Sequence, residues 1–199
     1  MAIVLLPQTA RAGMDDHDVS ITVGYVQPIG STEDVLNDGP SFSVRFVPNR
    51  ASGNVFTPML DAGFTRFKAT EDTLSVTGEI VTQIFIQNQS QFAFNAHVGA
   101  QFGWPKRTGL FRPRAALGIG PYFLRLHNLE RSADGTTVNN IQTDLLRLGW
   151  RGIIGADFFF TKKWGLGLEY VYDDIFEVPA GHRARYHGLS LALVVPFGE

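Results

Sequence analysis

The 199-residue chain reads as an all-β protein, an eight-stranded antiparallel up-and-down transmembrane β-barrel. Three observations predict it. Eight stretches alternate with period two, but they set a row of large apolar residues against a row of small ones. A half-buried strand of a soluble protein would instead set apolar against charged or long polar side chains. The connections alternate long and short, as in barrels with long loops at one end and tight turns at the other. The alternating cores run about 10 residues, the length at which a tilted strand crosses a bilayer.

The first strand is "DVSITVGYV" (18–26), with Val19, Ile21, Val23 and Tyr25 against Ser20, Thr22 and Gly24. A polar loop, "STEDVLNDG", leads to "SFSVRFVP" (41–48), where Phe42, Val44 and Phe46 oppose Ser41, Ser43 and Arg45. "NRASGN" is a turn signal. The third strand, "VFTPMLDAGFT" (55–65), sets Phe56, Leu60 and Phe64 against Thr57, Met59, Asp61 and Gly63. Residues 68–90 read as a large loop whose second half, with "EIVTQIFIQNQ", extends the fourth strand. That strand, "QFAFNAHVGAQFGW" (91–104), places Phe92, Phe94, Val98 and Phe102 opposite Asn95, His97, Gly99 and Gln101.

After the turn "PKRTG", the fifth strand "FRPRAALGIGPYFLRL" (111–126) opposes Phe111, Leu117, Ile119 and Phe123 to Arg112, Arg114, Ala116 and Gly118. "HNLERSADGTTVNN" reads as a loop. The sixth, "LLRLGWRGIIGADFFF" (145–160), sets Leu146, Leu148, Trp150 and Ile154 against Arg147, Gly149, Arg151, Gly155 and Asp157. "TKK" turns the chain into "WGLGLEYVYD" (164–173), with Leu166, Leu168, Tyr170 and Tyr172 against Gly165, Gly167, Glu169, Val171 and Asp173. The loop "DIFEVPAGH" precedes "HGLSLALVVPFGE", where Leu189, Leu191, Leu193, Val195 and Phe197 oppose Gly188, Ser190, Ala192 and Val194.

The small row belongs inside. An eight-stranded barrel leaves an interior just wide enough for side chains to fill it. The large row then faces lipid. A soluble barrel of lipocalin type would reverse the faces, and two features count against it. Its solvent face would need many charged residues, whereas all four lysines (Lys68, Lys106, Lys162, Lys163) fall at strand ends or in turns. Aromatic residues also gather at both ends of the large row: Trp104, Phe160, Trp164 and Phe197 at the short-turn end, Tyr25, Phe123 and Tyr172 toward the other. Those are interfacial girdles. Closure requires the first and eighth strands to pair, because an open edge in hydrocarbon leaves backbone groups unsatisfied.

Composition narrows the function. The net charge of −2 gives no case for nucleic acid, and the absence of Cys excludes disulfides and thiolate metal sites. No apolar run reaches the roughly 18 residues of a transmembrane helix. Residues 1–12 carry "AIVLL" and an Ala10-Arg11-Ala12 cleavage pattern, and read as the tail of a secretory signal peptide before a barrel domain at 13–199.

The stretches "GPSFSVRFVPN", "RPRAALGIGPYF", "GIIGADFFFTKKWGLGLEYVYDD" and "HGLSLALVVPF" resemble the small outer-membrane β-barrels of Gram-negative bacteria, typified by the OmpA transmembrane domain and OmpW-like or Opa-like proteins. The resemblance covers nearly the whole chain after residue 12. It implies a bacterial outer-membrane location, contact with outer-membrane lipid and lipopolysaccharide, and delivery by the outer-membrane assembly machinery. Family members usually end on an aromatic residue; here Phe197 precedes Gly198-Glu199. A monomer without cofactor is expected. The fold alone does not choose a role, since such barrels host several.

The inward charges are Arg45, Asp61, Arg112, Arg114, Arg147, Arg151, Asp157, Glu169 and Asp173, with His97 beside them. Both signs are present in little space, so they are expected to pair into one polar plug; the alternative is a narrow pore lined by Arg. Outward Arg66, Arg125, Arg183 and Arg185 map to the long-loop rim, suited to snorkelling or to lipopolysaccharide phosphates. Some resembling barrels modify lipid A, which needs a nucleophile beside a base. His187 and Ser190 are three apart and point to opposite faces, His97 has no adjacent inward Ser, and His127 and His182 fall in loops. No catalytic set and no metal cluster is expected. The leading expectation is a non-enzymatic barrel acting through its extracellular loops, followed by a narrow channel, then a lipid A-modifying enzyme.

Overall fold

A computed structural model describes residues 17–30, 37–48, 55–77, 82–103, 111–132, 137–161, 163–178 and 182–197. The expected signal segment and Trp104 lie outside these residues. The strands are β1 (His17–Ile29), β2 (Gly39–Val47), β3 (Phe56–Thr77), β4 (Thr82–Gly103), β5 (Phe111–Ser132), β6 (Thr137–Phe159), β7 (Gly165–Val178) and β8 (His182–Phe197). Each pairs antiparallel with the next, and β1 closes on β8. Following partners round the wall from Val19 through Phe46, Leu60, Val98, Ile119, Trp150, Asp174 and Arg185 leads back to β1 at Ile29. The stagger of ten residues tilts the strands and sets the bore of the barrel.

The two rows separate as expected. Ile154, Leu146, Leu189 and Leu191 are 68, 66, 61 and 61% exposed, a continuous apolar exterior that only lipid can cover. The opposite row is buried in the lumen.

Two expected loops are strands instead. β3 and β4 remain paired from Thr70↔Gln89 to Thr77↔Thr82, after a register shift between Phe67 and Thr70. β5 and β6 remain paired to Arg131↔Thr137, and β4 stays on β5 to Phe85↔Ser132. Residues 68–77, 82–90, 127–132 and 137–144 therefore continue the wall as a four-stranded projection at the long-connection end. It overshoots β1 by about ten residues, or roughly 30 Å at 3.3 Å per residue. At the other long connection β7 runs to Val178 and β8 begins at His182, so that loop is shorter than expected as well. Beyond the bilayer there is no contrast of lipid and lumen to impose large-small alternation, which is why these polar segments resemble loops.

Candidate functional site

The inward charges sit at alternate positions of six strands, and the stagger stacks them at rising levels. The result is one ladder of alternating sign. At the turn end Arg112 lies 3.1 Å from Asp18 and donates to Asp157 from Nε and Nη2 at 3.1 and 2.8 Å. Asp157 Oδ1 is 2.8 Å from Arg114 Nε, and Arg114 Nη2 donates to Glu169. Glu169 also takes both arms of Arg45, Nη1 at 3.0 Å and Nη2 at 2.9 Å. Arg45 Nε stands 3.4 Å from Asp61, which accepts from Arg151 Nη1 at 2.6 Å. Arg151 forks onto Asp173 at 2.8 and 3.2 Å, and the Tyr122 hydroxyl donates to Asp173 at 2.5 Å.

Every charged member of this ladder is at most 5% exposed. Such charges are tolerable only when paired. The arrangement meets that condition: Asp157, Glu169 and Asp61 each lie between two guanidiniums. His97 flanks the ladder, with Nδ1 3.6 Å from Asp61 and its ring edge-on to Tyr122 at 4.9 Å.

Glycine makes room for this. A Cβ on Gly167 would stand 2.7 Å from Asp157 Oδ1 and 2.9 Å from Arg114 Nη2. Gly167→Ala should therefore push the ladder apart and cost on the order of 1–3 kcal/mol, the range of overpacking. Gly152→Ala, whose Cβ would meet only the Trp150 ring, should cost less. Urea unfolding in lipid vesicles compares the two, and equal losses would remove the steric role of Gly167.

Above Tyr122 the described lumen residues are mostly apolar. Val26, Phe67, Ala93, Leu124, Ile175, Ala184 and Tyr186 pack into one buried cluster with Tyr122. Phe67 meets Tyr186 at 4.4 Å between centroids, and Gln91 donates to the Tyr186 hydroxyl at 3.0 Å. A void of about 10 Å³, bordered by Thr22, Ser43, Arg151 and Ser190, is of the size of one water. The interior is thus a charged ladder under an apolar cap, rather than the polar plug alone that the sequence suggested.

Arg45, Asp61, Arg112, Arg114, Arg151, Asp157, Glu169 and Asp173 all join the ladder. Arg147 is half-buried, level with Tyr122, and donates to the Leu146 carbonyl. The stagger carries its level above the last acid. Sequence reasoning missed Asp18 and Tyr122, although both fall on inward rows whose parity was already legible. The cap was missed because its large residues occupy the row expected to be small.

On the outside, Phe160 and Trp164 pack at 5.3 Å at the turn end, and Trp150 and Tyr172 at 5.1 Å toward the other. Tyr25 is exposed and Phe123 half-buried beside Phe94 at 6.4 Å. Phe197 closes β8, but its side chain, like that of Arg183, lies outside the described residues. Arg66 lies over the Phe92 ring at 5.4 Å. Arg125 forks onto Asp144 at 2.9 and 3.1 Å, and that hydrogen bond holds the Asp144 carboxyl below its ordinary range.

A closed barrel with a girdled apolar exterior and an ion-paired interior defines an integral membrane β-barrel. The chain belongs to the outer membrane protein beta-barrel domain family, whose model matches residues 2–197, and it resides in the bacterial outer membrane. Among solved structures it is similar to Neisserial surface protein A, at 15% identity and a TM-score of 0.54, over 90% of this chain and 96% of that one. It is also similar to a major outer membrane protein from Thermus thermophilus, at 12% identity and a TM-score of 0.51, over 90 and 99%. Likeness at these identities speaks for the fold. No curated protein matches the chain.

Proposed function

We propose that this protein is a sealed, non-enzymatic outer-membrane barrel that holds the four-stranded projection of β3–β6 at the cell surface, in a structural or surface-binding role. The observation that carries this reading is the continuous Arg–carboxylate ladder beneath an apolar cap. Ions crossing the barrel would have to break buried pairs and then cross a mostly apolar layer. Against catalysis, Ser190 is buried in the lumen while His187 lies on the outer face, so the two cannot act together. The barrel satisfies its own wall without a second copy, which supports a monomer surrounded by lipid and lipopolysaccharide.

Refolded protein in planar bilayers should show no steady conductance. A stable single-channel current from the wild type would replace this reading with the narrow Arg-lined pore.

The sidedness has its own test, because the chain lacks Cys. Arg131→Cys, on the projection, should react with a membrane-impermeant maleimide on intact cells. Lys163→Cys, in the β6–β7 turn, should react only after the outer membrane is broken. The reverse pattern would invert the barrel.

A further inference from the structure

The projection leaves two strand edges without a neighbour among the described residues, and the two are built differently. On one side β2 pairs with β3 only from Leu60 to Thr65. Above that level β3 has the register shift between Phe67 and Thr70, where it holds one residue more than β4, together with Lys68, Glu71 and Asp72. Bulges and charges, lysine above all, keep an edge from pairing with another chain. On the other side β7 takes up β6 only at Gly149. From Thr137 to Leu148 β6 pairs with β5 alone, as "TVNNIQTDLLRL". This edge has no Lys, Pro or Gly, and its register with β5 is even from Asn139 onward.

Where β7 is missing, the Leu146 carbonyl accepts from the Arg147 guanidinium at 2.8 Å. Backbone groups of a strand face its two neighbours at alternate residues, so those of Gln142 and Asp144 turn to the open side with it. The two faces of the edge also differ. On the lumen side Ile141 is 48% exposed and Leu145 packs against the apolar cap. On the outer side Asn140, Gln142 and Asp144 are exposed. Charge gives the sign of a partner. Residues 68–90 and 127–144 hold six acids against Lys68 and Arg131, and stay acidic after Arg125 is counted onto Asp144.

We infer that the β6 edge from Thr137 to Leu146 receives an extended, cationic segment of another protein as a fifth strand of the projection. The inference rests on the reading that the projection stands at the cell surface and serves binding. The main chain of the segment pairs antiparallel with β6 and gives affinity, and its alternating side chains give specificity. Its aliphatic row continues the layer of Ile141 and Leu145. Its Lys or Arg row lies on the outer face beside Gln142 and Asp144, where opposite charges across a strand pair attract. A second copy fits less well. Two barrels in one membrane run their β6 strands in the same direction, so these edges cannot pair antiparallel, and their acidic projections repel.

The test is fluorescence anisotropy of a labelled peptide that alternates Val with Lys, titrated with refolded barrel in zwitterionic phosphatidylcholine nanodiscs. The wild type should bind it. Methylating the backbone nitrogens of the peptide's Lys residues, which face β6 in this register, keeps the charge and removes the donors. Binding should weaken about tenfold, and methylating the Val nitrogens, which face solvent, should weaken it less. Gln142→Pro removes an edge N–H and leaves the bonds to β5, so it should weaken binding by a similar factor. Gln142→Lys, an edge-guarding charge, should do the same, whereas Gln27→Lys on β1 should leave binding unchanged. Far-UV circular dichroism confirms that each variant is folded. Equal binding of the Lys-methylated and unmethylated peptides, or unchanged binding by Gln142→Pro, overturns the added strand. Equal binding of a peptide with Glu in place of Lys overturns the cationic partner. A wild-type dimer in sedimentation that Gln142→Pro dissolves, with no peptide bound, gives the edge to a second copy instead. Sidedness is read separately from the two cysteine labels, so its failure and the failure of the edge are distinguishable.

Discussion

Glu169→Leu should lower the unfolding free energy by roughly 3–5 kcal/mol, the cost of breaking a buried ion pair from one side. Glu169 is fully buried and accepts three hydrogen bonds from two guanidiniums, both arms of Arg45 and one of Arg114. Its loss leaves Arg45 with only the 3.4 Å contact to Asp61, and Arg114 with Asp157 at 2.8 Å. Two guanidiniums then share acids already committed to Arg151 and Arg112. Glu169→Gln keeps the shape and one acceptor, so it should lose less. Arg45→Met combined with Glu169→Leu should recover part of the loss, because exchanging a whole pair for apolar groups costs less than stranding one partner. Urea titration in lipid vesicles followed by tryptophan fluorescence measures all three. A Glu169→Leu barrel as stable as wild type would show that the ladder does not hold the wall together. The same variant in planar bilayers should leak small ions. A wild type that already conducts, with Glu169→Leu altering only ion preference, would sink the sealed-barrel reading.

The wall was legible because the membrane writes a rule into it. Between lumen and lipid, position 189 must be large and apolar and position 190 small, and the same contrast recurs on every strand. Where the chain leaves the bilayer the rule lapses. "KATEDTLSVT" in β3 and "TVNNIQTD" in β6 carry polar residues on both rows. Their strand character comes from pairing with β4 and β5, a tertiary fact that no window of one segment contains. "EIVTQIFIQNQ" gave the one local hint, its β-branched and aromatic residues, and it marked only half of the hairpin.

The ladder was legible in membership and not in wiring. Parity placed Arg45 and Glu169 inside, since a charge on the outward row would meet lipid. That they meet each other, 124 residues apart in sequence, follows from a stagger that depends on every strand pair at once. Asp18 shows a different limit: it shares the parity of Ser20 and Thr22, but as the first residue of the expected strand, next to the polar run "MDDH", it reads as a strand end rather than a lumen position. The cap shows a third. Phe67, Leu124 and Tyr186 are large residues on the inward row, and the size rule ranks them as errors. They fit because they pack together in one buried cluster of the lumen beyond Tyr122.

The inside-outside assignment itself predicts a large and directional effect. Leu191→Arg should cost roughly 2–4 kcal/mol, the penalty for a cation near the midplane of such a barrel. Leu191 is 61% exposed on the lipid face, flanked by Val23 and Leu168, with no polar group at its level. Ser190→Thr, one residue away, turns inward. Ser190 is 4% exposed and packs against Gly24, where an added Cβ would lie 2.0 Å from the serine Oγ. The extra methyl meets that crowding but borders the water-sized void, so its cost should stay at or below about 1–3 kcal/mol. Urea titration in vesicles free of lipid A gives both values. Bilayer thickness then separates their causes. In thinner bilayers the guanidinium introduced by Leu191→Arg reaches water by snorkelling and its penalty should shrink, whereas a lumen methyl does not sense the bilayer and the Ser190→Thr cost should hold. Equal free energies in the standard bilayer, or a Ser190→Thr cost that tracks lipid length while that of Leu191→Arg does not, would turn the barrel's faces inside out.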